Sequence, residues 1–453
     1  MSVAKKKSVF VCQECGYESA RWLGKCSCGA WNSFVEEAIT KSNPNTERGL
    51  VSDGRPVPVT AVKGDTYRRM ATGSEELDRV LGGGLVPGSL VLISGDPGIG
   101  KSTLLLQVAD KVAEKHGNVL YISGEESGEQ IKLRADRLAV ANDKLLVAAE
   151  TNVEAIRELV TQYRPSMVII DSIQTLFATA IISAPGSISQ VRECAGHILK
   201  FAKTENIPCF ISAHVTKQGD IAGPRLLDHM VDVVLYLEGE RNFGFRMLRS
   251  FKNRFGTTNA LGVYEMAEQG MVEITNPSEF LLSDKSEGVS GAVVVASVES
   301  SRPILVELQA LVIANEMGIP PRRTVVGVNR DRLSLIVAVL QKRAGVAMGP
   351  HDIYVSLLGG VSVEETSIDL GIAVGLYSSF RDCPVDSKTV VLGELDLAGR
   401  VRPIYNIDRL VHEAEKLGFE RCVIPRLNKE KVKSGQMELV GVDTIQEVLR
   451  ILF

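Results

Sequence analysis

The sequence predicts an α/β protein in which a mainly parallel sheet is covered by helices on both faces. Between about Arg68 and Asn276, short apolar runs alternate with amphipathic helical patterns, as in repeated strand–helix units. A glycine-rich turn directly after the first run is the second observation, because such sheets bind ligands at the carboxyl ends of their strands. The predicted buried strands are Leu90–Ser94, Val119–Ile122, Met167–Asp171, Cys209–Ser212 and Val231–Leu237.

Composition divides the chain into four segments. Residues 1–37 are rich in glycine and cysteine, and residues 38–65, with the polar run Lys41–Pro58, have the composition of a linker. Residues 66–276 form the first α/β block. After a second polar break, residues 277–453 form another. We expect one domain in each block and a small module before the linker.

The overall composition is that of an ordinary globular protein with two or three cores. The chain has 453 residues, a formal net charge of −4 and 45% hydrophobic residues. Mild acidity argues against nonspecific coating of DNA, so any DNA contact requires local basic stripes. No apolar run has the length of a membrane span, and none of signal-peptide length follows Lys5, Lys6 and Lys7. We therefore expect a cytoplasmic protein without a membrane partner.

Half of the eight cysteines lie close together near the start of the chain: Cys12, Cys15, Cys26 and Cys28. The first pair has the C-x-x-C spacing of zinc sites, and the second is C-x-C, one residue shorter than usual. Four thiolates would hold a structural Zn²⁺, which would supply folding energy to a segment with little core. The alternative is four free cysteines in a disordered arm. The other four (Cys194, Cys209, Cys383 and Cys422) lie in apolar surroundings and are expected to be core thiols.

A complete phosphate-loop motif, G-x-x-x-x-G-K-[ST], follows the strand predicted at Leu90–Ser94 and precedes a helix predicted at Thr103–Lys115. Glycines let backbone N–H groups surround phosphates, and the start of the helix favours an anion. The motif predicts an ATP site in which Lys101 reaches the β- and γ-phosphates and Ser102 holds Mg²⁺. A chance glycine-rich turn is the alternative. The predicted nucleotide-binding residues are Gly95, Asp96, Pro97, Gly98, Ile99, Gly100, Lys101, Ser102 and Thr103.

Carboxylates follow two further predicted strands. Asp171 ends the run Met-Val-Ile-Ile and is the expected second acidic partner of Mg²⁺. Glu125 and Glu126 follow the strand at Val119–Ile122, where a carboxylate orients or deprotonates an attacking water. A solvated acidic turn is the alternative for both glutamates.

Six segments occur in the order found in the bacterial recombination family RadA (Sms), which the chain resembles over nearly its whole length. They are GDPGIGKSTLLLQ, YISGEES, VIIDSIQT, SAHVTK, Gly223–Asp232 and KNRFG at Lys252–Gly256. The resemblance implies a RecA-like ATPase core with Glu125 as the residue that activates water. It also implies that His214 is a polar sensor, and that Lys252 and Arg254 reach the γ-phosphate of a neighbouring subunit. Without the resemblance, Lys252 and Arg254 would be interpreted as a solvated basic turn.

The resemblance also implies a ring of subunits. Two loops are expected to face the central channel of that ring, at Ala178–Gln190 and Gln218–Leu227. Lys217 and Arg225 lie at the base of the second loop and are the predicted DNA contacts there. Ordinary surface loops have the same composition.

From about Gly288, the sequence resembles the proteolytic domain of Lon protease, which cleaves peptides with a serine–lysine dyad. The resemblance rests on SGAVVVASVES, RTVVGVNRDRLSLIVAVLQKRAGV, ETSIDLGIAVGL and VLGELDLAGRVRPI. It places Asp369 at the position of the serine and Val411 at the position of the lysine, so we expect a fold without protease activity. Ser362, Ser367 and Lys416 are nearby, which leaves a shifted alignment open.

A basic run in this block is expected to contact DNA phosphates: Arg322, Arg323, Arg330 and Arg332, followed by Lys342 and Arg343. A solvated, salt-bridged surface is the alternative.

The resemblance implies a homo-oligomer, a hexameric ring, that hydrolyses ATP on single-stranded and branched DNA and extends intermediates made by RecA recombinase during DNA repair. Two other classes stay open on the sequence. One is an ATP-dependent protease of the Lon type. The other is a nucleotide-switched signalling ATPase of the KaiC type, which would be indifferent to DNA.

Overall fold

The structure is a computed structural model, and it forms two compact units that divide between Glu273 and Ile274, close to the second polar break. Each unit has its own sheet and its own core. The structure describes residues 8–12, 17–38, 58, 69–213, 224–239, 245–283, 285–300, 302–315, 320–433 and 435–453.

The first unit begins with a small antiparallel ribbon. Its strands are β1 (Ser8–Cys12), β2 (Glu18–Ser19) and β3 (Phe34–Ala38), in the order β2-β1-β3. Its described core consists of Cys12, Cys26 and Phe34, with a few partly buried neighbours. The apolar burial among the described residues of this ribbon is small, as is usual for modules whose folding a metal ion stabilises.

The main sheet of this unit has nine strands among the described residues, in the order β12-β11-β10-β9-β4-β8-β7-β5-β6. The six strands from β9 to β6 are parallel, whereas β10, β11 and β12 continue the sheet in antiparallel pairs. The strands are β4 (Leu90–Gly95), β5 (Val119–Ser123), β6 (Leu145–Ala149), β7 (Met167–Asp171), β8 (Cys209–Ser212), β9 (Val233–Glu238), β10 (Phe245–Asn253), β11 (Leu261–Ala267) and β12 (Gly270–Glu273).

All five strands predicted from apolar runs are present and parallel, and β9 starts two residues later than predicted because Asp232 lies in the preceding turn. Alternate residues of β4 face opposite sides of the sheet, so Val91 and Ile93 join one core while Leu90 and Leu92 join the other. The helices are α1 (Glu75–Leu81), α2 (Lys101–His116), α3 (Gly128–Arg137), α4 (Val153–Tyr163), α5 (Ile188–Glu205) and α6 (Pro224–Met230).

Capping residues set the starts of several of these helices. Ser127 and Gln130 form a reciprocal capping box at the start of α3, and Asn152 caps α4 through the backbone N–H of Ala155. Helix α2 starts at Lys101, two residues before the predicted start, because the lysine and serine of the phosphate loop already belong to its first turn.

The second unit contains a seven-stranded mixed sheet in the order β15-β16-β14-β13-β17-β20-β21 and a hairpin formed by β18 and β19. The strands are β13 (Ala292–Glu299), β14 (Arg302–Ala314), β15 (Arg323–Val326), β16 (His351–Leu357), β17 (Thr389–Val391), β18 (Glu394–Leu395), β19 (Val401–Arg402), β20 (Arg421–Pro425) and β21 (Glu438–Val442). The helices are α7 (Pro277–Leu281), α8 (Arg330–Arg343), α9 (Asp369–Arg381), α10 (Ile407–Lys416), α11 (Arg426–Lys429) and α12 (Ile445–Leu452). In the part of the chain that the structure describes, no helix combines the length and apolar character needed to cross a bilayer.

Candidate functional site

The phosphate loop connects the carboxyl end of β4 to the first turn of α2. Gly95 has a φ of 146°, and a Cβ there would lie 2.3 Å from the carbonyl oxygen of Leu237 on the adjacent strand, so only glycine fits. Gly100 has a φ of 117° and is the N-cap of α2. Because glycine has no side chain, the first backbone N–H groups of α2 keep the anion-binding character of a free helix start.

Lys101 is buried within this loop. Its Nζ donates hydrogen bonds to the carbonyl oxygens of Gly95 (2.7 Å) and Asp96 (3.0 Å). Burial lowers the pKa of Lys101, and the nearby carboxylates of Asp171 and Glu125 partly oppose that shift. An ammonium with two carbonyl partners retains a third N–H, which is available to a phosphate oxygen.

Asp171 lies at the carboxyl end of β7 with both carboxylate oxygens bonded. The hydroxyl of Tyr121 donates to one oxygen at 2.7 Å, and the hydroxyl of Ser212, from the intervening strand β8, donates to the other. Burial, together with the charge of Asp171, raises the pKa of Tyr121 well above its usual range, so its hydroxyl stays a donor. The two donors fix the orientation of a carboxylate close enough to Lys101 to interact with its charge.

The structure distinguishes between the two glutamates that follow β5. Glu126 is paired with Arg134, and its backbone N–H donates to the hydroxyl of Ser123. Glu125 is exposed and accepts a hydrogen bond from the hydroxyl of Ser172, which directly follows Asp171. Glu125 is therefore the carboxylate that is both oriented and open to solvent, as a water-activating residue has to be.

Lys252 and Arg254 are both held by the turn that joins α6 to β9. The Nζ of Lys252 donates to the carbonyl oxygens of Asp228 and Val231, the latter at 2.8 Å. Arg254 pairs with the carboxylate of Asp232 at 3.2 Å. Burial lowers the pKa of Lys252, and the charge of Arg254 lowers it further. These cations are not freely solvated, in contrast to the basic turn that the sequence left open.

The remaining residues of the KNRFG segment are fixed as well. Asn253 donates from its side-chain amide to the carbonyl of Val80, and Arg69 donates to the carbonyl of Phe255 at 2.6 Å. A Cβ on Gly256 would lie 3.1 Å from the Cα of Gly82, so the backbones approach closely there. These contacts hold the pentapeptide against the end of α1 and the turn that follows it.

This basic pair and the phosphate loop lie at opposite ends of the strands. Lys252 is aligned with Val234 at the start of β9, whereas Gly95 is aligned with Leu237 near the end of the same strand. These two positions are three residues apart along β9, which is roughly 10 Å. The pair therefore does not face the phosphate loop of its own chain.

The ribbon brings three of the four predicted zinc ligands together. The sulfur atoms of Cys12, Cys26 and Cys28 all lie within 4.8 Å of one another, with 3.9 Å between those of Cys12 and Cys28. Tetrahedral Zn²⁺ with Zn–S bonds of about 2.3 Å requires S–S distances of about 3.8 Å, which the distance between Cys12 and Cys28 matches. Cys15 lies outside the described residues.

Two of the arginines in the basic run, Arg323 and Arg332, are bonded within the second unit, and their contact with DNA stays a prediction. The guanidinium of Arg332 is bonded to the buried carboxylate of Asp369, and that of Arg323 donates to backbone carbonyls including His351. Arg322 and Arg330 are exposed and stay candidates.

Several other predicted site residues lie outside the residues that the structure describes. His214 and Lys217 belong to residues 214–220, which are not described, and Arg225 lies in α6 with its side chain not described. Of the expected channel loop Ala178–Gln190, the last residues belong to α5. The buried side chain of Gln190 is bonded to the backbone of Ala178, Ile181 and Ser183. These bonds anchor the first half of the loop to the start of α5.

The residues at the positions of the Lon dyad do not form a protease centre. Asp369 is buried at the start of α9, and Val411 is buried in the apolar core under α10. The hydroxyl of Ser367 donates to the carbonyl of Ala296, while Ser362 and Lys416 are exposed. The absence of protease activity stays a prediction.

Four residues that hold the site together were not predicted from the sequence: Tyr121, Ser212, Asp232 and Arg246. Tyr121 and Ser212 are polar residues inside buried apolar strands, which is a usable signal, since a buried polar group needs a partner. Arg246 is buried on β10 and donates to the carbonyl of Ile99 in the phosphate loop. No sequence pattern indicated that contact.

Three protein-family models match the chain, each in a different part. The model "AAA domain" matches residues 59–220, "Rubredoxin metal binding domain" matches residues 10–36, and "Subunit ChlI of Mg-chelatase" matches residues 317–428. The fold class is confirmed: a RecA-like ATPase core, a metal-binding ribbon before it and a Lon-protease-like α/β domain after it. The core is that of a protein that hydrolyses ATP.

Curated relatives match from end to end. The DNA repair protein RadA of Halalkalibacterium halodurans is 52% identical over 99% of both chains. Those of Bacillus subtilis and Listeria monocytogenes are 50% and 49% identical, also over 99% of both chains. A solved KaiC-like protein from Pyrococcus horikoshii is 19% identical with a TM-score of 0.40, covering 46% of this chain and 99% of its own, which is too distant to carry an argument. The chain belongs to the bacterial DNA repair protein RadA family.

Proposed function

We propose that the chain is a ring-forming, DNA-dependent ATPase that moves on single-stranded DNA and promotes branch migration of recombination intermediates. The relatives' name, DNA repair protein, supports the choice of DNA as the substrate. RecA recombinase, which makes such intermediates, is the proposed partner. A hexameric ring is the proposed assembly, and the cytoplasm is the proposed location.

Hydrolysis uses five groups of the first unit. Lys101 and the first N–H groups of α2 bind the phosphates, and Ser102 with Asp171 holds Mg²⁺, which stabilises the charge on the transferred phosphoryl group. Glu125 takes the proton of the attacking water, oriented by its hydrogen bond from Ser172. His214 is proposed to transmit the nucleotide state to the loop that follows it.

The position of Lys252 and Arg254 is the observation that carries the proposal of a ring. They lie at the end of the strands opposite to their own phosphate loop, and both side chains are bonded to the turn between α6 and β9. Cations there serve a nucleotide only if it is bound by another subunit. A basic group supplied in trans stabilises the transition state when the assembly is complete. Hydrolysis then depends on oligomerisation.

DNA contacts are proposed on both units. Lys217 and Arg225, beside the second channel loop, would follow the strand backbone in the ring. Arg322 and Arg330 would add phosphate contacts from the Lon-like domain. Zn²⁺ held by Cys12, Cys15, Cys26 and Cys28 stabilises the ribbon, and with four protein ligands it has no open position for catalysis.

ATP turnover with and without single-stranded DNA tests the proposal. The Lys101→Ala and Lys252→Ala variants should each lose DNA-stimulated hydrolysis by at least about 100-fold, as expected when phosphate charge is no longer stabilised. Lys115→Ala removes an exposed lysine from the far end of α2 and is the matched control, with turnover unchanged. Full turnover by dilute monomers, indifferent to oligonucleotide, would refute the ring and favour a nucleotide switch instead.

A further inference from the structure

Asp232 is a buried carboxylate with three donors, and none of the predicted chemistry uses it. Its side chain is 4% exposed. The backbone N–H of Leu90 (3.1 Å) and the ammonium of Lys203 (2.7 Å) both donate to Oδ2, and Arg254 donates to Oδ1 at 3.2 Å. Two cations therefore share one carboxylate, which is an expensive group to bury unless it is paired.

Arg254 is bonded to Asp232 through both its backbone and its side chain. The backbone N–H of Arg254 donates to the carbonyl oxygen of Asp232 at 3.1 Å, beside the bond between their side chains. The side chain of Arg254 is nevertheless 54% exposed, so one part of the guanidinium is anchored while the rest faces solvent. Arginine has five N–H donors, and one anchored nitrogen leaves several for a second anion.

Asp232 also connects this anchor to the strand that carries the phosphate loop. Its backbone N–H donates to the carbonyl of Leu90 at 2.9 Å, and its side chain accepts from the N–H of Leu90, the first residue of β4. The basic pair is thereby fixed to the central strand of the sheet, not to a surface loop.

We infer that Asp232 is a positioning residue, which orients the guanidinium of Arg254 toward the γ-phosphate of a nucleotide bound by the adjacent subunit. The inference rests on the proposed donation in trans. A rigidly held cation contributes to transition-state stabilisation because it does not have to be ordered during the reaction, and a displacement of about 1 Å lowers rates by up to about 100-fold. Asp232 itself acts only through Arg254.

The test is a mixing experiment with full-length protein, ATP and single-stranded DNA. Asp232→Asn keeps an acceptor for Leu90 but loses the charge that holds Arg254, so its turnover number should fall about 10- to 100-fold, with KM for ATP changed less than about twofold. Lys101→Ala is inactive in its own phosphate loop but carries an intact basic pair. Equal mixing of the two variants should restore turnover to roughly a quarter of the wild-type rate, since one in four neighbour pairs then combines an intact loop with an intact Arg254.

Two controls separate the possible failures. Lys203→Met removes the other cation from Asp232 and leaves the contact with Arg254, so it should lose stability but keep its turnover number within about threefold. Arg254→Ala mixed with Lys101→Ala tests donation in trans by itself.

Each outcome has one meaning. Recovery in both mixtures supports the role of Asp232. Recovery only in the mixture with Arg254→Ala shows that Asp232 acts within its own subunit, which overturns the inference and leaves the ring intact. Failure of both mixtures refutes donation in trans, and the inference with it.

Discussion

The guanidinium of Arg332 donates to both carboxylate oxygens of Asp369, from Nε to Oδ1 at 2.9 Å and from a terminal nitrogen to Oδ2. The pair joins the start of α8 to the start of α9, where the Lon resemblance assigns a nucleophilic serine. The backbone N–H of Leu395 donates to the same carboxylate. At the position where Lon has its nucleophilic serine, this chain has a buried carboxylate whose bonds connect two helices and the β18–β19 hairpin.

Removal of Arg332 should destabilise the second unit strongly. In Arg332→Met the buried carboxylate of Asp369 loses its counter-charge, which costs about 3 kcal/mol of unfolding free energy. Burial already raises the pKa of Asp369 and Arg332 opposes this, so the variant raises that pKa further above its unfolded value. A carboxyl group whose folded pKa is raised destabilises the folded state increasingly as the pH rises from the unfolded pKa to the folded pKa, so the deficit shrinks as the pH falls toward the unfolded value. Scanning calorimetry at pH 7 and pH 5 should therefore show a smaller deficit at pH 5.

The double variant Arg332→Met with Asp369→Leu is the matched control, because it removes the buried charge as well. It should recover most of the lost stability. An equal deficit at both pH values would show that packing, not the charge of Asp369, determines the loss. Asp369→Ser restores the Lon-type hydroxyl but should show no peptidase activity, since Val411 provides no base.

Local patterns predicted the architecture well, where each pattern has one physical explanation. Apolar runs such as Met167–Asp171 are fully buried parallel strands, since both faces of the sheet are covered. The turn predicted at the glycines of the phosphate loop is present, and Gly95 and Gly100 adopt backbone angles that other residues avoid. Antiparallel strands β10, β11 and β12 were not predicted, because their mixed polarity has no continuous apolar run.

Tertiary partners could not be predicted from local patterns. Arg332 and Arg323 lie in a basic run and yet bond to groups distant in sequence, Asp369 and the carbonyl of His351. Asp232 lies within a segment that carried the family resemblance, but its contacts with Lys203 and Leu90 depend on how α5 and β4 meet. The sequence alone does not show whether a charged side chain is solvated or paired, because its partners depend on the fold.

Metal removal should unfold the ribbon and leave the rest of the chain folded. Both tryptophans of the sequence, Trp22 and Trp31, lie in the ribbon and are 51% and 69% exposed, so tryptophan fluorescence reports on this module. A chelator should shift their emission to that of an unfolded peptide, and one equivalent of Zn²⁺ should reverse the shift, because the metal supplies the folding energy. Cys12→Ser should show the unfolded spectrum with or without Zn²⁺, and Cys383→Ser should respond like the wild type. An emission spectrum indifferent to chelation would contradict a structural zinc.

The core thiols should resist alkylation in the native protein. Burial raises the pKa of Cys194 and of Cys422 to about 12, and that of Cys209 still higher, so the reactive thiolate is scarce at pH 8. Cys383 is half-buried and should react first. Mass spectrometry of peptides after timed iodoacetamide treatment should find Cys194, Cys209 and Cys422 labelled only after denaturation. Rapid native labelling of any of them would show that its core opens frequently.

Arg322 and Arg330 should contribute to DNA affinity through phosphate contacts, unlike the two bonded arginines. Each alanine substitution should lower the slope of log affinity against log salt by about one, with little change in sequence preference. Arg426→Ala is the matched control, since Arg426 is exposed on the same unit but is paired with Asp443 and Glu447 and so presents little net charge to DNA. Fluorescence anisotropy with a labelled oligonucleotide at several salt concentrations measures these slopes. If the Arg426 variant lowers the slope as much as the other two, the effect follows total charge, and the Lon-like domain has no local phosphate contact at these arginines.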